Sequence, residues 1–201
     1  MSIEPIARAD EELAREARDG SLACFEELVR RYETRLHRFL ARSCGNDADG
    51  ADLTQDTFVT AYTKLERFDP ARSFATWLFT IARRKCIDHL RARRSASGEK
   101  LPEFLDEDSP AELLARRDER ADLWHRARAV LSDAQFQALW LKYVEGLSVA
   151  EIAKVLRLTP THVKVILFRA RTALAAALEL QPVRRPDEKA DVPAARASST
   201  T

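Results

Sequence analysis

The stretch RSFATWLFTIARRKCIDHLRARR, Arg72 to Arg94, decides the fold. Its apolar residues Phe74, Trp77, Leu78 and Ile81 recur at helical spacing, so they share one face of a helix. From Arg83 the same segment turns basic: Arg83, Arg84, Lys85, Arg91, Arg93 and Arg94 stand against the one acid Asp88. One helix therefore offers an apolar side that builds a core and a cationic side suited to a phosphate backbone. Aromatic rings at the edge of such a patch stack on unpaired bases, which fits a strand being opened better than an intact duplex. A solvated basic helix is the competing reading.

Working outward, Leu22, Phe25, Leu28, Val29, Tyr32, Leu36, Phe39 and Leu40 mark an upstream amphipathic helix that should stop near Cys44-Gly45-Asn46. A second helix is expected over about 50–65, with Leu53, Phe58, Ala61, Tyr62 and Leu65 inward, broken by Phe68-Asp69-Pro70. The basic helix then begins after Ser73. Ser95 to Pro110 reads as a linker containing Ser, Gly and Pro, and Glu103 to Glu112 holds five acidic residues and no basic one.

A further helix is expected over 111–130. Ser132 with Gln135 gives a capping-box pattern for the next, whose buried stripe is Phe136, Leu139, Trp140 and Tyr143 and whose end is Gly146. Ser148 and Glu151 repeat the capping box ahead of Ile152, Val155 and Leu156. A short turn at Arg157-Leu158 follows, then Thr159 as cap and Pro160 at the first helical position. Two short helices so joined make a helix-turn-helix. The second presents Thr161, His162, Lys164, Val165, Phe168, Arg169 and Arg171, a face able to enter a major groove. Arg157 stands where such turns often use Gly, which forecasts a strained backbone there.

The expected fold is therefore all-α, with two small helical domains joined by a flexible acidic linker and the helix-turn-helix in the second. The boundaries are 1–94, 95–110 for the linker and 111–180, followed by a tail over 181–201 too poor in apolar residues to fold. With 33 basic and 32 acidic residues the net charge is +1, so any affinity for nucleic acid comes from local patches. No apolar run is long enough to span a membrane, and the N-terminus lacks a signal-peptide core, so no membrane insertion and a cytoplasmic location are expected. Cys24, Cys44 and Cys86 form no CxxC pair and read as buried thiols. The four histidines are scattered. Cys86 and His89 supply too few ligands for a metal site, and no nucleophile–base pair or phosphate loop stands out. The expectation is no enzyme, no cofactor and no metal.

On these residues a resemblance becomes visible. RSFATWLFTIARRKCIDHLR resembles the promoter-opening segment of the extracytoplasmic-function sigma factors of bacterial RNA polymerase, in the sigma-70 family. DADGADLTQDTFVTAYTKLERF resembles their polymerase-binding helix, and EGLSVAEIAKVLRLTPTHVKVILFRARTAL their C-terminal helix-turn-helix, in the family's order and spacing. The resemblance implies that Asp49, Asp52, Leu53, Gln55, Asp56 and Phe58 dock on the clamp helices of the largest polymerase subunit. It implies that Phe68, Arg72, Ser73, Phe74, Trp77, Arg83, Arg84, Lys85 and Arg91 take the non-template strand of the −10 element and a flipped-out base. The loop from Phe68 to Ser73 would form the pocket for that base. Thr161 to Arg171 would read the −35 element as duplex. The implied partners are core RNA polymerase, including its β-flap, promoter DNA and an anti-sigma factor. A stand-alone helix-turn-helix regulator is the alternative, and it leaves the −10-type segment and the acidic linker without a job. The chain departs from the family pattern at Ala51, which implies weaker polymerase docking, and at Arg84, His162, Val165 and Ile166, which implies an unusual promoter sequence.

Overall fold

The computed structural model describes residues 8–97 and 119–179. The expected helix start at 111, most of the acidic linker and the tail over 181–201 lie outside the described residues. All regular structure among the described residues is helical, in two bodies. The first holds α1 (Asp10–Arg18), α2 (Leu22–Cys44), α3 (Asp47–Thr63), a 3-10 turn (Leu65–Arg67) and α4 (Phe74–Ser97). The second holds α5 (Glu119–Val130), α6 (Asp133–Tyr143), α7 (Val149–Leu156) and α8 (Pro160–Glu179).

Helix α2 is the spine of the first body. It buries Leu28, Tyr32, Leu36, Phe39 and Leu40, and α4 answers with Phe74, Leu78, Phe79 and Ala82. Edge-to-face ring pairs fix the register: Phe39 meets Phe79 at 5.2 Å and Tyr32 meets Phe74 at 5.5 Å between centroids. Each such side chain contributes about 1.5–3 kcal/mol by leaving water. Gly45, at φ 73°, ends α2 in the left-handed conformation, and its N–H bonds back to the carbonyl of Ala41. The Asn46 side chain then caps α3 by accepting from the Asp49 N–H at 2.9 Å. The close crossing of α2 and α3 rests on Gly50, where an added Cβ would lie 2.6 Å from the Ala41 Cα.

The second body is built around an aromatic cluster. Trp124 of α5 lies 4.9 Å from Trp140 and 5.8 Å from Phe136 of α6. Ile152, Val155, Val163, Leu167 and Ala170 complete its core. Both expected capping boxes are present, Ser132 with Gln135 and Ser148 with Glu151.

Several expectations change. Helix α1 was not foreseen, α3 begins at Asp47 rather than near 50, and α4 continues to Ser97, into the expected linker. Tyr62 and Tyr143, expected to be buried, are 51% and 57% exposed. Each lies in the last turn of its helix. In α6 the burial spreads to Gln137, Ala138 and Leu141, because that helix packs on α2 as well as on α7 and α8. All three cysteines are buried and free, and Cys44 and Cys86 share an S–H···S contact of 3.3 Å between α2 and α4. That hydrogen bond and burial push the Cys44 thiol above its ordinary range.

Gly50→Ala is expected to destabilise the protein by about 1–3 kcal/mol, since the backbone of α2 must yield to the new methyl group. Urea unfolding measures this, and an unchanged midpoint would contradict the close crossing.

Candidate nucleic-acid interface

The loop before α4 is shaped by short-range hydrogen bonds. The Asp69 carboxylate accepts from the Ala71 N–H at 3.0 Å, an Asx turn, and from Arg72 Nε at 3.1 Å. Ser73 Oγ accepts from the Thr76 N–H at 3.2 Å and caps α4. The first N–H of α4, that of Phe74, is satisfied from elsewhere: Glu11 Oε1 of α1 accepts it at 3.0 Å. Helix α1 is itself held by Asp10, which accepts from Arg31 Nη1 at 2.7 Å and from the Tyr32 hydroxyl at 2.5 Å. The unforeseen helix α1 therefore sets the start of α4. Its signal was readable in the acids Asp10, Glu11 and Glu12, the later Arg15 and Arg18, and the apolar Leu13, Ala14 and Ala17 between them.

The residues assigned to the −10 element divide into three groups. Phe68 and Phe74 are core residues, packed edge to face at 5.6 Å, with the half-buried Trp77 against Phe68 at 5.2 Å. They shape the loop rather than present a surface. Arg72, Arg84 and Arg91 are exposed, and Ser73 is half-buried as the helix cap. Lys85 is tied to Asp56 of α3 at 3.2 Å, and Arg83 points into the second body.

On α3, Asp52, Gln55 and Asp56 are exposed on one face that continues to Val59, 64% exposed, and Tyr62. Leu53 and Phe58 belong to the core instead. Asp49 is engaged by His89 at 3.1 Å and Arg93 at 3.4 Å, both from α4. Tyr62 was expected inward because a solvent-facing apolar residue on a helix looks, in sequence, like one more core position.

In the helix-turn-helix the strain forecast at Arg157 is found: its φ is 54°, which an L side chain rarely adopts. Thr159 Oγ1 accepts from the His162 N–H at 3.2 Å and caps α8. All seven candidates on α8, Thr161, His162, Lys164, Val165, Phe168, Arg169 and Arg171, are exposed, with Phe168 at 64%. Val163, Ile166, Leu167 and Ala170 face the core, so Ile166 is not positioned to read a base. Among the described residues no group of three His, Cys, Asp or Glu gathers to hold a metal, and no helix is long and apolar enough to cross a membrane.

Comparison with known proteins agrees with this arrangement. Residues 28–96 match Sigma-70 region 2 and residues 122–174 match Sigma-70, region 4. RNA polymerase sigma factor CnrH of Cupriavidus metallidurans is 34% identical over 183 residues, covering 85% of this chain and 95% of that protein. ECF RNA polymerase sigma factor BldN of Streptomyces coelicolor is 31% identical over 172 residues, covering 83% of this chain and 65% of BldN. The structure of CnrH in complex with the cytosolic domain of CnrY superposes with a TM-score of 0.65 at 31% identity, over 87% of this chain and 100% of that one. The sigma factor RpoE from Bartonella quintana, at 22% identity and a TM-score of 0.64, shares the fold. The chain belongs to the extracytoplasmic-function (ECF) family of RNA polymerase sigma factors, which act in transcription initiation.

Glu11→Ala is expected to leave the Phe74 N–H without its acceptor and to loosen the first turn of α4 by about 1 kcal/mol. Amide hydrogen exchange should rise at Phe74 and stay unchanged in the middle of α2. Unaltered exchange at Phe74 would contradict the positioning role of α1.

Proposed function

We propose that this chain carries core RNA polymerase to promoters by dividing the work among three surfaces. The exposed face of α3, with Asp52, Gln55, Asp56, Val59 and Tyr62, docks on the clamp helices of the largest polymerase subunit. The second body also meets the β-flap. The first three turns of α8 lie in the major groove of the −35 duplex. Lys164, Arg169 and Arg171 meet phosphates there, while Val165 and Phe168 offer apolar contact to thymine methyl groups. The loop 68–73 and the exposed cations of α4 take the non-template strand of the −10 element. Holding a base outside the stack there favours the opened strand over the duplex, so strand separation is driven by binding energy.

The observation that carries this reading is the exposure of all seven candidates on a capped helix-turn-helix, in a chain whose other body presents a basic helix behind a shaped loop. The protein contributes binding rather than catalysis, and it works in the cytoplasm. A cytoplasmic anti-sigma factor controls it; the support is the relative CnrH, seen in complex with the cytosolic domain of CnrY.

Asp52→Lys is expected to abolish co-purification with core polymerase while leaving thermal unfolding unchanged. Normal co-purification would move the docking face elsewhere. Arg169→Glu is expected to weaken binding to promoter duplex more at low salt than at high salt, flattening the log–log salt slope by about 0.9 per lost phosphate contact. Equal loss at both salts would remove Arg169 from the phosphate contacts.

A further inference from the structure

Two side chains in the core have chemistry that the proposed function does not use. Cys44, the last residue of α2, and Cys86, midway along α4, place their sulfurs 3.3 Å apart across the seam between the helices. Both are buried and free. An S–S bond of about 2.05 Å is reached from there by moving each sulfur roughly 0.6 Å. The third cysteine cannot compete. Cys24 lies in the first turn of α2 and Cys44 at its end, about 30 Å apart at about 1.5 Å of rise per residue. The Cys24 sulfur meets Glu16 at 3.3 Å and Arg8 at 3.8 Å instead.

The pair is asymmetric. The hydrogen bond from Cys44 holds the Cys86 thiol below its ordinary range; burial and Asp133 oppose this, and Arg128 and Arg83 assist. Both cations are fixed by their own contacts. Arg83, one turn before Cys86 on α4, donates to Gln137 at 3.1 Å. Arg128 of α5 donates to the carbonyl of Ser43, the residue before Cys44, at 3.3 Å. The thiolate is the reacting form of cysteine, so Cys86 is the nucleophile and Cys44 its resolving partner.

We infer that Cys44 and Cys86 form a reversible redox site, which a hydroperoxide converts to a disulfide that staples α2 to α4.

The Cys86 thiolate attacks one oxygen of hydrogen peroxide. The O–O bond breaks, Cys86 becomes a sulfenic acid, and the hydroxide released takes the Cys44 proton and leaves as water. The Cys44 thiolate then attacks the Cys86 sulfur. The S–S bond forms, the S–O bond breaks, and the second hydroxide leaves as water with the proton that Cys86 had given to solvent. Two thiols are oxidised by two electrons and one peroxide is reduced to two waters. Access is through the end of α2, since helix termini open more readily than helix centres and peroxide is close to water in size. A cytoplasm keeps thiols reduced, so the disulfide there is transient and reports oxidant.

The cysteines stand 42 positions apart, and the loop between them contains all of α3 and the 68–73 loop. Closing such a loop restricts the unfolded chain more than the folded one, so the oxidised protein is harder to unfold. The face of α3 proposed to dock on polymerase lies inside that loop, and peroxide thereby prolongs the life of its folded form.

In the test, the purified and reduced full chain is treated with hydrogen peroxide and digested without reductant. The expected products are a cross-linked Cys44–Cys86 peptide pair and a Cys24 that an alkylating reagent still labels. The thermal midpoint should rise on the order of 10 °C, and dithiothreitol should reverse both the cross-link and the rise. Cys24→Ala should keep these changes and Cys86→Ala should lose them. A variant in the core can fail to fold, so the wild type decides by itself. Three free thiols after peroxide, cross-linking that needs urea, sulfinic acid on Cys86 without a cross-link, or a disulfide through Cys24 would each overturn the site. A Cys44–Cys86 disulfide that leaves the midpoint unchanged or lowers it would overturn the staple.

Discussion

The contact between the apolar faces of α2 and α4 is the interaction on which the rest of the structure depends. Phe39 against Phe79 and Tyr32 against Phe74 hold the two helices face to face, with Leu78, Ala82 and Cys86 filling the seam. Once that side of α4 is committed to the core, its remaining sides are fixed in space. One carries Arg84 and Arg91 to solvent, another pairs Lys85 and Arg93 with the acids of α3, and a third meets the second body. The aromatic and basic halves of the opening stretch are thus two consequences of one helix lying at the junction of several neighbours.

The same geometry links packing to function. The loop 68–73 is held at one end by Phe68 in the core and at the other by Ser73 and Glu11 capping α4. A loop anchored in this way has little conformational freedom left to lose. In the second body, the strained Arg157 turn and the Thr159 cap place α8 with its seven exposed candidates outward.

Much of this was legible in the sequence, for identifiable reasons. Periodicity located α2 and α4, and cap chemistry located Gly45, Ser132, Ser148 and Thr159, because those signals act within a turn or two of the chain. The positions that went astray depend on distant neighbours. Tyr62 and Tyr143 match the helical stripe and yet face solvent, while Gln137 is buried because α6 packs on more than one side. Ile166, a departure from the family pattern on the recognition helix, lies against the core. Helix α1 is short and charged, and it is held in place by α2 and α4, partners that local pattern does not reveal. The contact between the bodies joins residues such as Arg35 and Glu145, 110 positions apart, and left no mark in either segment.

Mapping transcript 5′ ends tests the central claim most directly. The purified chain is added to bacterial core polymerase with fragmented genomic DNA from its host, and the RNA is sequenced. The account predicts discrete start sites preceded by shared −10 and −35 sequences, absent when core polymerase acts alone. Start sites indistinguishable from those of core polymerase alone, from a protein that co-purifies with that polymerase, would contradict it.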